Sequence, residues 1–374
     1  MENNPEYFSE IVYLRAIAIL AVISIHVSVY FIEMDSINFL TLLYMSIDTF
    51  SQFAVPLFVC ISGFVLYNKY QGSFSLKLFF KKRLMSVLPQ YTVFSILIIL
   101  SSYFMFMYRG RIWNFDIAKI IYMYLTGDWT PMGSFLMALW FFVLIIQLYI
   151  VYPIIERVFS KSVENHKTLG LLIFLLIVQI LYPIFPIKNM FLIGKATMFL
   201  PYTFYFVLGM YVRFYYQNIK NSAIITQRYS YFLFIALVSA TILGIGSYSI
   251  KYFRNDLNPQ LIQIYTWIYG IITPLYYILI FTLCLFLALK FSEKNPNRFT
   301  KCLKIIGNYS FALYLIHFFI SFILPSKLLP IIGFDMNNWL FYPIVFTLVL
   351  SLSLCSIYII NKFPYHEYVI GTLR

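Results

Sequence analysis

Residues 13–31 read YLRAIAILAVISIHVSVYF, an apolar stretch with an arginine near one end and a histidine well inside it. About 20 such residues allow a helix to cross roughly 30 Å of hydrocarbon. The preceding segment, MENNPEYFSE, has three acidic residues and no basic ones, and no small-residue cleavage site follows the apolar stretch. This pattern predicts a membrane span that is retained rather than a signal peptide that is removed.

The rest of the chain repeats this apolar character. Of its 374 residues, 61% are hydrophobic and 11% are charged, against about 25% charged residues in soluble globular proteins. The apolar runs are continuous, which favours helices over a barrel because a helix satisfies its own backbone hydrogen bonds in lipid. The sequence predicts an all-α, polytopic membrane protein in which residues 1–374 form a single domain, one bundle of about ten transmembrane helices. The predicted spans are 11–31, 39–67, 84–107, 135–155, 169–187, 197–215, 230–250, 261–290, 303–324 and 339–361.

The net charge of +13 is explained by where the basic residues lie. With the N-terminus on the cytoplasmic side, the inner connections between spans hold 18 of the 27 lysines and arginines, and the outer connections hold 8. This asymmetry follows the positive-inside rule and predicts that both termini are cytoplasmic. The basicity then reflects orientation in a plasma membrane, so no nucleic-acid partner is expected.

Arg15 and His26 are the two polar side chains that need an explanation in the first span. Eleven residues of helix bring them to within about 20° of the same stripe, about 16 Å apart along the axis. A central arginine costs at least ~2.5 kcal/mol on insertion scales. Arg15 as an inner-end anchor and His26 as a packing residue would account for each one separately. Their shared face instead indicates a polar cavity, in which an imidazole accepts protons near neutral pH.

The second span contains SIDTFSQFAVPLFVCISGF, in which Asp48 and Gln52 lie at a depth similar to that of His26. A carboxylate behind an imidazole orients it and favours its charged form. The alternative is that Asp48 simply reaches the outer headgroup region. Both interpretations remain open at this point.

The ninth span contains GNYSFALYLIHFF, in which Ser310, Tyr314 and His317 are spaced four and three residues apart. That spacing places them on one helical face. A second intramembrane histidine beside a tyrosine and a serine indicates more than core filling, because each buried polar group needs a partner. We expect these residues to line the same cavity, without a metal ion.

Two connections carry weaker signals. In YNKYQGSFSLKLFFKKRLMSVLPQY, the triplet Lys81, Lys82 and Arg83 suits phosphate groups or anionic lipid heads, although cytoplasmic retention alone accounts for it equally well. In the outer connection, residues 108–134, a short interfacial or re-entrant helix is predicted near 117–126, with Trp113 and Trp129 in the headgroup belt. A loop with anchoring aromatics is the alternative.

The motifs resemble those of a known family. The Arg-x10-His spacing of YLRAIAILAVISIH is similar to that of the acyltransferase-3 family, multi-pass bacterial enzymes that acylate cell-surface and secreted polysaccharides. Further similar pieces follow in the family's order: VPLFVCISGF, FFKKRLMSVLPQY, ALWFFVLIIQLYIVYP, PYTFYFVLGMYV and YSFALYLIHFF. Within the family, EIVYLRAI and YVIGTLR resemble the exopolysaccharide O-succinyl- and O-acetyltransferases of intercellular-adhesion, poly-N-acetylglucosamine systems. Ala138 departs from the polar residue that many members have near the tryptophan.

The resemblance implies transfer of a short acyl group, acetyl or succinyl, from cytoplasmic acyl-CoA to a hydroxyl of a cell-surface or secreted polysaccharide. It implies that His26 is the base or a transient acyl carrier and that Arg15 binds polar groups of the donor or stabilises an oxyanion. Acyl-CoA would be a substrate, acetyl-CoA or succinyl-CoA, and no bound cofactor is expected. The residues expected at the donor phosphates are Lys81, Lys82 and Arg83. Those expected to line the cavity or contact substrate are Asp48, Gln52, Ser62, Trp140, Ser310, Tyr314 and His317.

The expected partners are acyl-CoA, a glycan acceptor, membrane lipid and an exopolysaccharide synthase complex. The chief alternative function is an exporter or flippase of the polysaccharide or its lipid-linked precursor, which would use the same cavity for passage. Apart from Asp48 the predicted spans hold few acidic residues, which weighs against a proton-coupled pump. A purely structural membrane scaffold is the third and weakest reading.

Overall fold

The computed structural model describes residues 7–32, 38–72, 74–108, 110, 116–129, 139–182, 198–221, 258–293, 295–325 and 339–371, with separate positions between 231 and 242. Within these residues the secondary structure is helical and no strand occurs, which confirms the predicted helical class. The described helices are α1 (Ser9–Ser28), α2 (Phe39–Ser51), α3 (Ala54–Tyr70), α4 (Leu76–Met85), α5 (Leu88–Tyr108), α6 (Ile117–Thr126), α7 (Trp140–Glu164), α8 (Thr168–Leu181), α9 (Thr203–Phe214), α10 (Tyr216–Lys220), α11 (Pro259–Glu293), α12 (Arg298–Asn308), α13 (Ser310–Ile323), α14 (Phe341–Ile360) and α15 (His366–Ile370).

Several helical stretches are long and apolar enough to cross a membrane. The described part of the chain has six, and α12 with α13 forms a bent pair that would make a seventh. The predicted seventh span, 230–250, lies almost entirely outside the described residues, so ten spans and cytoplasmic termini stay predictions. The six stretches are Ser9–Phe31, Phe39–Tyr70, Leu76–Tyr108, Trp140–Glu164, Gln260–Glu293 and Phe341–Ile360.

The ninth predicted span, 303–324, is wrong as a continuous helix. The chain turns by 82° between α12 and α13. At this turn Gly307 presses against the backbone carbonyl of Val12 in α1, an approach that only a residue without a side chain allows. Lys301 and Lys304 of α12 are exposed, whereas α13 is apolar and largely buried. The apolar pattern of the predicted span therefore runs across a bend that lies where the chain packs against α1.

The first helix occupies the middle of the bundle. It packs against α2, α3, α11, α12, α13 and α14. Its apolar residues are buried on all sides, including Ala16, Ile19 and Ile23, none of which has any exposed surface. A helix that is apolar all round is normally an interior helix. Arg15 and His26, which lie on this central helix, are both partly buried.

Helices α3 and α9 approach each other at two glycines. A Cβ on Gly209 would overlap the backbone carbonyl of Cys60, and a Cβ on Gly63 would overlap that of Phe206. Small residues at such crossings let membrane helices make backbone contact. This contact fixes the wall of the bundle against which α1 packs.

Substituting Gly209 by alanine is expected to lower the free energy of unfolding by about 1–3 kcal/mol, because the added methyl group forces the two backbones apart. Thermal unfolding of the protein in nanodiscs measures the effect. Gly170→Ala in α8 is the matched control, since among the described residues no atom beyond its own stretch of helix lies within 4 Å of the Cβ it would add. Equal midpoints for the two variants would contradict this account of the crossing.

The short helix predicted near 117–126 is confirmed as α6. Its N-terminus is capped by the Asp116 side chain, which accepts the Lys119 backbone N–H at 2.7 Å, and it ends at Gly127 with φ +70°. The prediction that Trp129 lies in a headgroup belt is wrong, because its side chain has no exposed surface. The tryptophan packs inside the protein, and Trp113 lies outside the described residues.

Candidate active site

A cavity of about 230 Å³ lies between α1, α3, α4, α7 and α13. We call it the arginine cavity because its charged lining residues are Arg15 and Arg83. Hydroxyl groups of Ser62, Ser310 and Tyr314 share the lining, and among the described residues no aspartate or glutamate borders it. Five residues that the sequence assigned to donor or cavity roles are therefore brought together by the fold. Such a surface suits an anionic or carbonyl-bearing molecule.

Arg83 is the more deeply buried of the two cations, with only 8% of its surface exposed. Its guanidinium lies 4.9 Å from the ring centre of Tyr70, a cation–π distance. The Nε–H of Arg83 is buried and has no hydrogen-bond partner among the described residues. A buried, unsatisfied guanidinium donor is costly unless a ligand completes it. Arg83 is therefore the most deeply buried cation of the cavity.

The other two members of the predicted basic triplet lie elsewhere. Lys81 and Lys82 are exposed on α4 and do not border the arginine cavity. The helix period separates them from Arg83, which shares the buried face of Phe79, four residues earlier. The two lysines are therefore exposed outside the cavity, whereas Arg83 lines it.

Arg15 enters the same cavity from α1 and is partly buried. Asn308, at the bend between α12 and α13, also lines the cavity. Gly371, directly after α15, completes one side against the ring of Phe311. Sequence reasoning did not find Asn308 and Gly371, since neither has a local signal and both depend on distant segments meeting.

A pair of histidines lies beyond the cavity. The ring centres of His26 in α1 and His317 in α13 are 5.2 Å apart. His26 itself does not border the arginine cavity. Of the two residues expected to share a cavity on one face of α1, Arg15 therefore lines it and His26 does not. Tyr314 joins the two regions, because it lines the cavity and its ring centre is 6.0 Å from that of His317. A continuous row of side chains thus runs from the cavity to His26.

His317 is completely buried. Its Nδ1 lies 2.7 Å from the carbonyl oxygen of Leu313, one turn earlier in α13. A carbonyl only accepts, so Nδ1 carries the hydrogen and Nε2 carries a lone pair. That Nε2 has no hydrogen-bond partner among the described residues. The pair of histidines therefore includes one imidazole whose tautomer is set by the backbone.

Asp48 is buried and belongs to a polar group beside the C-terminal end of α1. Its carboxylate accepts hydrogen bonds from the Ser28 hydroxyl at 3.4 Å and from the Gln52 amide at 3.2 Å. Gln52 in turn accepts from the hydroxyl of Tyr269 at 3.3 Å. The prediction that Asp48 orients the imidazole of His26 stays a prediction. Tyr269 is a further member that sequence reasoning missed, because α11 is distant in the chain.

Trp140 begins α7 and borders the aromatic wall rather than the cavity itself. Its ring centre lies 6.3 Å from that of Phe141 and 6.0 Å from that of Tyr202. Phe141 and Phe142 line the arginine cavity. Trp140 thus packs against a lining residue, Phe141, without lining the cavity. Ala138, which stands where many members of the resembled family have a polar residue, lies outside the described residues.

The helical bundle and its internal polar site define an α-helical membrane protein with a buried basic cavity that leads to a pair of histidines. The chain matches the family described as Acyltransferase domain, acyltransferase-3, over residues 8–358. The match covers nearly the whole chain, so the protein belongs to this family, which supports an acyltransferase activity. No curated protein and no solved structure matched the chain.

Proposed function

We propose that the protein is a membrane O-acyltransferase of a bacterial plasma membrane. It moves an acetyl or succinyl group from cytoplasmic acyl-CoA to a hydroxyl of a cell-surface or secreted polysaccharide. The acceptor class follows from the resemblance of its end motifs to exopolysaccharide-modifying enzymes. The observation that carries the proposal is the row of side chains that joins a doubly basic cavity to His26 in a chain of the acyltransferase-3 family.

The arginine cavity is proposed to hold the donor. Arg83 supplies a desolvated guanidinium for a phosphate group of CoA, and Arg15 binds a second polar group of the same molecule. Lys81 and Lys82 raise the local concentration of the anionic donor at the mouth. The distance from Arg15 to His26 along α1, about 16 Å by helix geometry, is comparable to that of an extended pantetheine arm.

The reaction is proposed to take place at His26. As a general base, its imidazole accepts the proton of the acceptor hydroxyl while the alkoxide oxygen attacks the thioester carbonyl. The tetrahedral oxyanion collapses, the carbon–sulfur bond breaks, and the departing thiolate takes the proton from the imidazolium. In the covalent variant, a neutral nitrogen of His26 attacks the thioester, the carbon–sulfur bond breaks, and the departing thiolate takes the proton of the acylated ring. The acyl-imidazole then passes its acyl group to the hydroxyl, whose proton returns to the imidazole.

The experiment that tests the proposal compares the mass of the surface glycan with and without the protein. We expect a loss of one acetyl or one succinyl mass per modified sugar, with the polymer still at the cell surface. The mass difference also identifies the donor. If polymer export stopped and the acyl content per chain were unchanged, the exporter alternative would replace this proposal.

A further inference from the structure

Resting on the proposed function, we infer that His317 is a positioning residue for His26. During the reaction its Nε2 lone pair receives the N–H of the His26 imidazole and holds that ring in one orientation, with its other nitrogen turned toward the reacting hydroxyl. The two histidines then act as a dyad in which only His26 contacts substrate.

The first support is the fixed tautomer of His317. The carbonyl of Leu313 holds the hydrogen on Nδ1, so Nε2 is available only as an acceptor. A buried acceptor without a partner costs about 1–3 kcal/mol. Nε2 is such an acceptor in the described part of the chain, in a side chain with no exposed surface. A hydrogen bond that Nε2 receives from His26 during the reaction would offset this cost and explain why the unpaired acceptor is present.

The second support is the distance to His26. The ring centres are 5.2 Å apart. No hydrogen bond joins the two rings in the described structure. The separation leaves room for an N–H···N hydrogen bond of about 3 Å once the His26 ring turns an N–H toward Nε2. The ring of Phe318, whose centre is 6.0 Å from that of His26, covers another side of the imidazole. His26 is therefore confined by two consecutive residues of α13.

The third support is the place of His317 in the row of side chains. It lies between Tyr314, which borders the arginine cavity, and His26, which does not. A residue in this position reaches the donor only through its neighbours. It is suited to orient His26 rather than to replace it as the base.

The test uses purified full-length protein in nanodiscs and measures the release of CoA thiol from acetyl-CoA and from succinyl-CoA, with poly-N-acetylglucosamine oligomers as acceptor. His317→Ala is expected to lower kcat about 100-fold with KM within about threefold, the usual scale for losing an oriented acid–base partner. His317→Gln is expected to recover at least tenfold over His317→Ala, because its amide oxygen reaches the position of Nε2. His317→Asn, whose amide reaches only the position of Nδ1, is expected to stay low.

Ser321→Ala is the matched control, one turn further along α13, where the buried hydroxyl donates a hydrogen bond to the Phe318 carbonyl of its own helix. It is expected to stay within twofold of the wild type. Equal activities for the glutamine and asparagine variants, or a His317→Ala variant within threefold of wild type, would overturn the inference while leaving the proposed function intact. A wild-type protein that releases no thiol from either donor would overturn the proposed function and the inference with it.

A spectroscopic measurement tests the tautomer without depending on activity. The chain has four histidines, so ¹⁵N-labelled histidine gives few imidazole signals. His366 also has its Nδ1 beside a carbonyl, that of Phe363 at 3.1 Å, so it gives an Nδ1–H signal of its own. We expect a second Nδ1–H tautomer that persists in His26→Ala and disappears in His317→Gln. An Nε2–H tautomer at His317 would overturn the inference, because no acceptor would then face His26.

Discussion

Cells whose protein carries His26→Ala are expected to display surface polysaccharide that has lost its acyl groups, in unchanged amount. Removal of a general base typically costs about 10²–10⁴-fold in rate, and removal of a covalent carrier leaves no route at all. His26 lies at the end of the row that starts at the arginine cavity, with His317 5.2 Å away between ring centres. Mass spectrometry of the glycan gives acyl groups per sugar, and an immunoblot gives the amount of polymer.

His166→Asn is the control for the loss of a histidine. His166 is exposed, in a turn with φ +54° where asparagine is readily accommodated. It is expected to leave acylation unchanged. A His26→Ala strain that retained normal acyl content would rule out both roles given to His26, whereas lost export with normal acyl content would support the exporter.

Arg83→Gln is expected to weaken acyl-CoA binding about 10- to 100-fold, because a hydrogen bond to a charged group contributes about 1.5–3 kcal/mol. The exposed fraction of this side chain is only 8%, so solvent does not replace the lost charge easily. Arg83→Lys is expected to fall between glutamine and wild type, since an ammonium keeps the charge but lacks the planar fork. Calorimetric titration of acetyl-CoA and succinyl-CoA into the purified protein measures the affinity.

Lys81→Gln removes the same charge at a position two residues before Arg83. The Lys81 side chain is exposed and does not line the cavity. Its expected effect on affinity is under threefold at physiological salt, since exposed charges are screened. If the Lys81 and Arg83 variants weakened binding equally, the basic segment would act only through its overall charge. Unchanged affinity in Arg83→Gln would exclude the donor-binding role.

The burial of Arg83 illustrates a site residue that the sequence could have singled out. Residues 79 and 83 are four apart and share one face of α4, whereas Lys81 and Lys82 lie on others. The apolar period thus separates the inward arginine from the outward lysines. The composition of the triplet alone does not distinguish them, because all three residues are basic.

The meeting of His26 and His317 could not be predicted from either motif. Each is recognisable as an intramembrane histidine, but the separation of 291 positions in sequence leaves their distance undetermined until α13 packs on α1. The same limit explains the ninth span. Hydropathy measures length and composition, and it does not register the 82° bend, which lies next to the close contact between Gly307 and Val12.

The sequence by itself determined the helical membrane class, the shared stripe of Arg15 and His26, and the short helix α6, since each depends on helix period and side-chain chemistry over a few turns. The tertiary structure alone decided that Arg15 and Arg83 face one cavity while His26 lies beyond it against His317. Those relations depend on which helices pack together and on how closely small residues let them approach. The pattern of residues within one helix does not show which other helix it packs against or how closely the two approach.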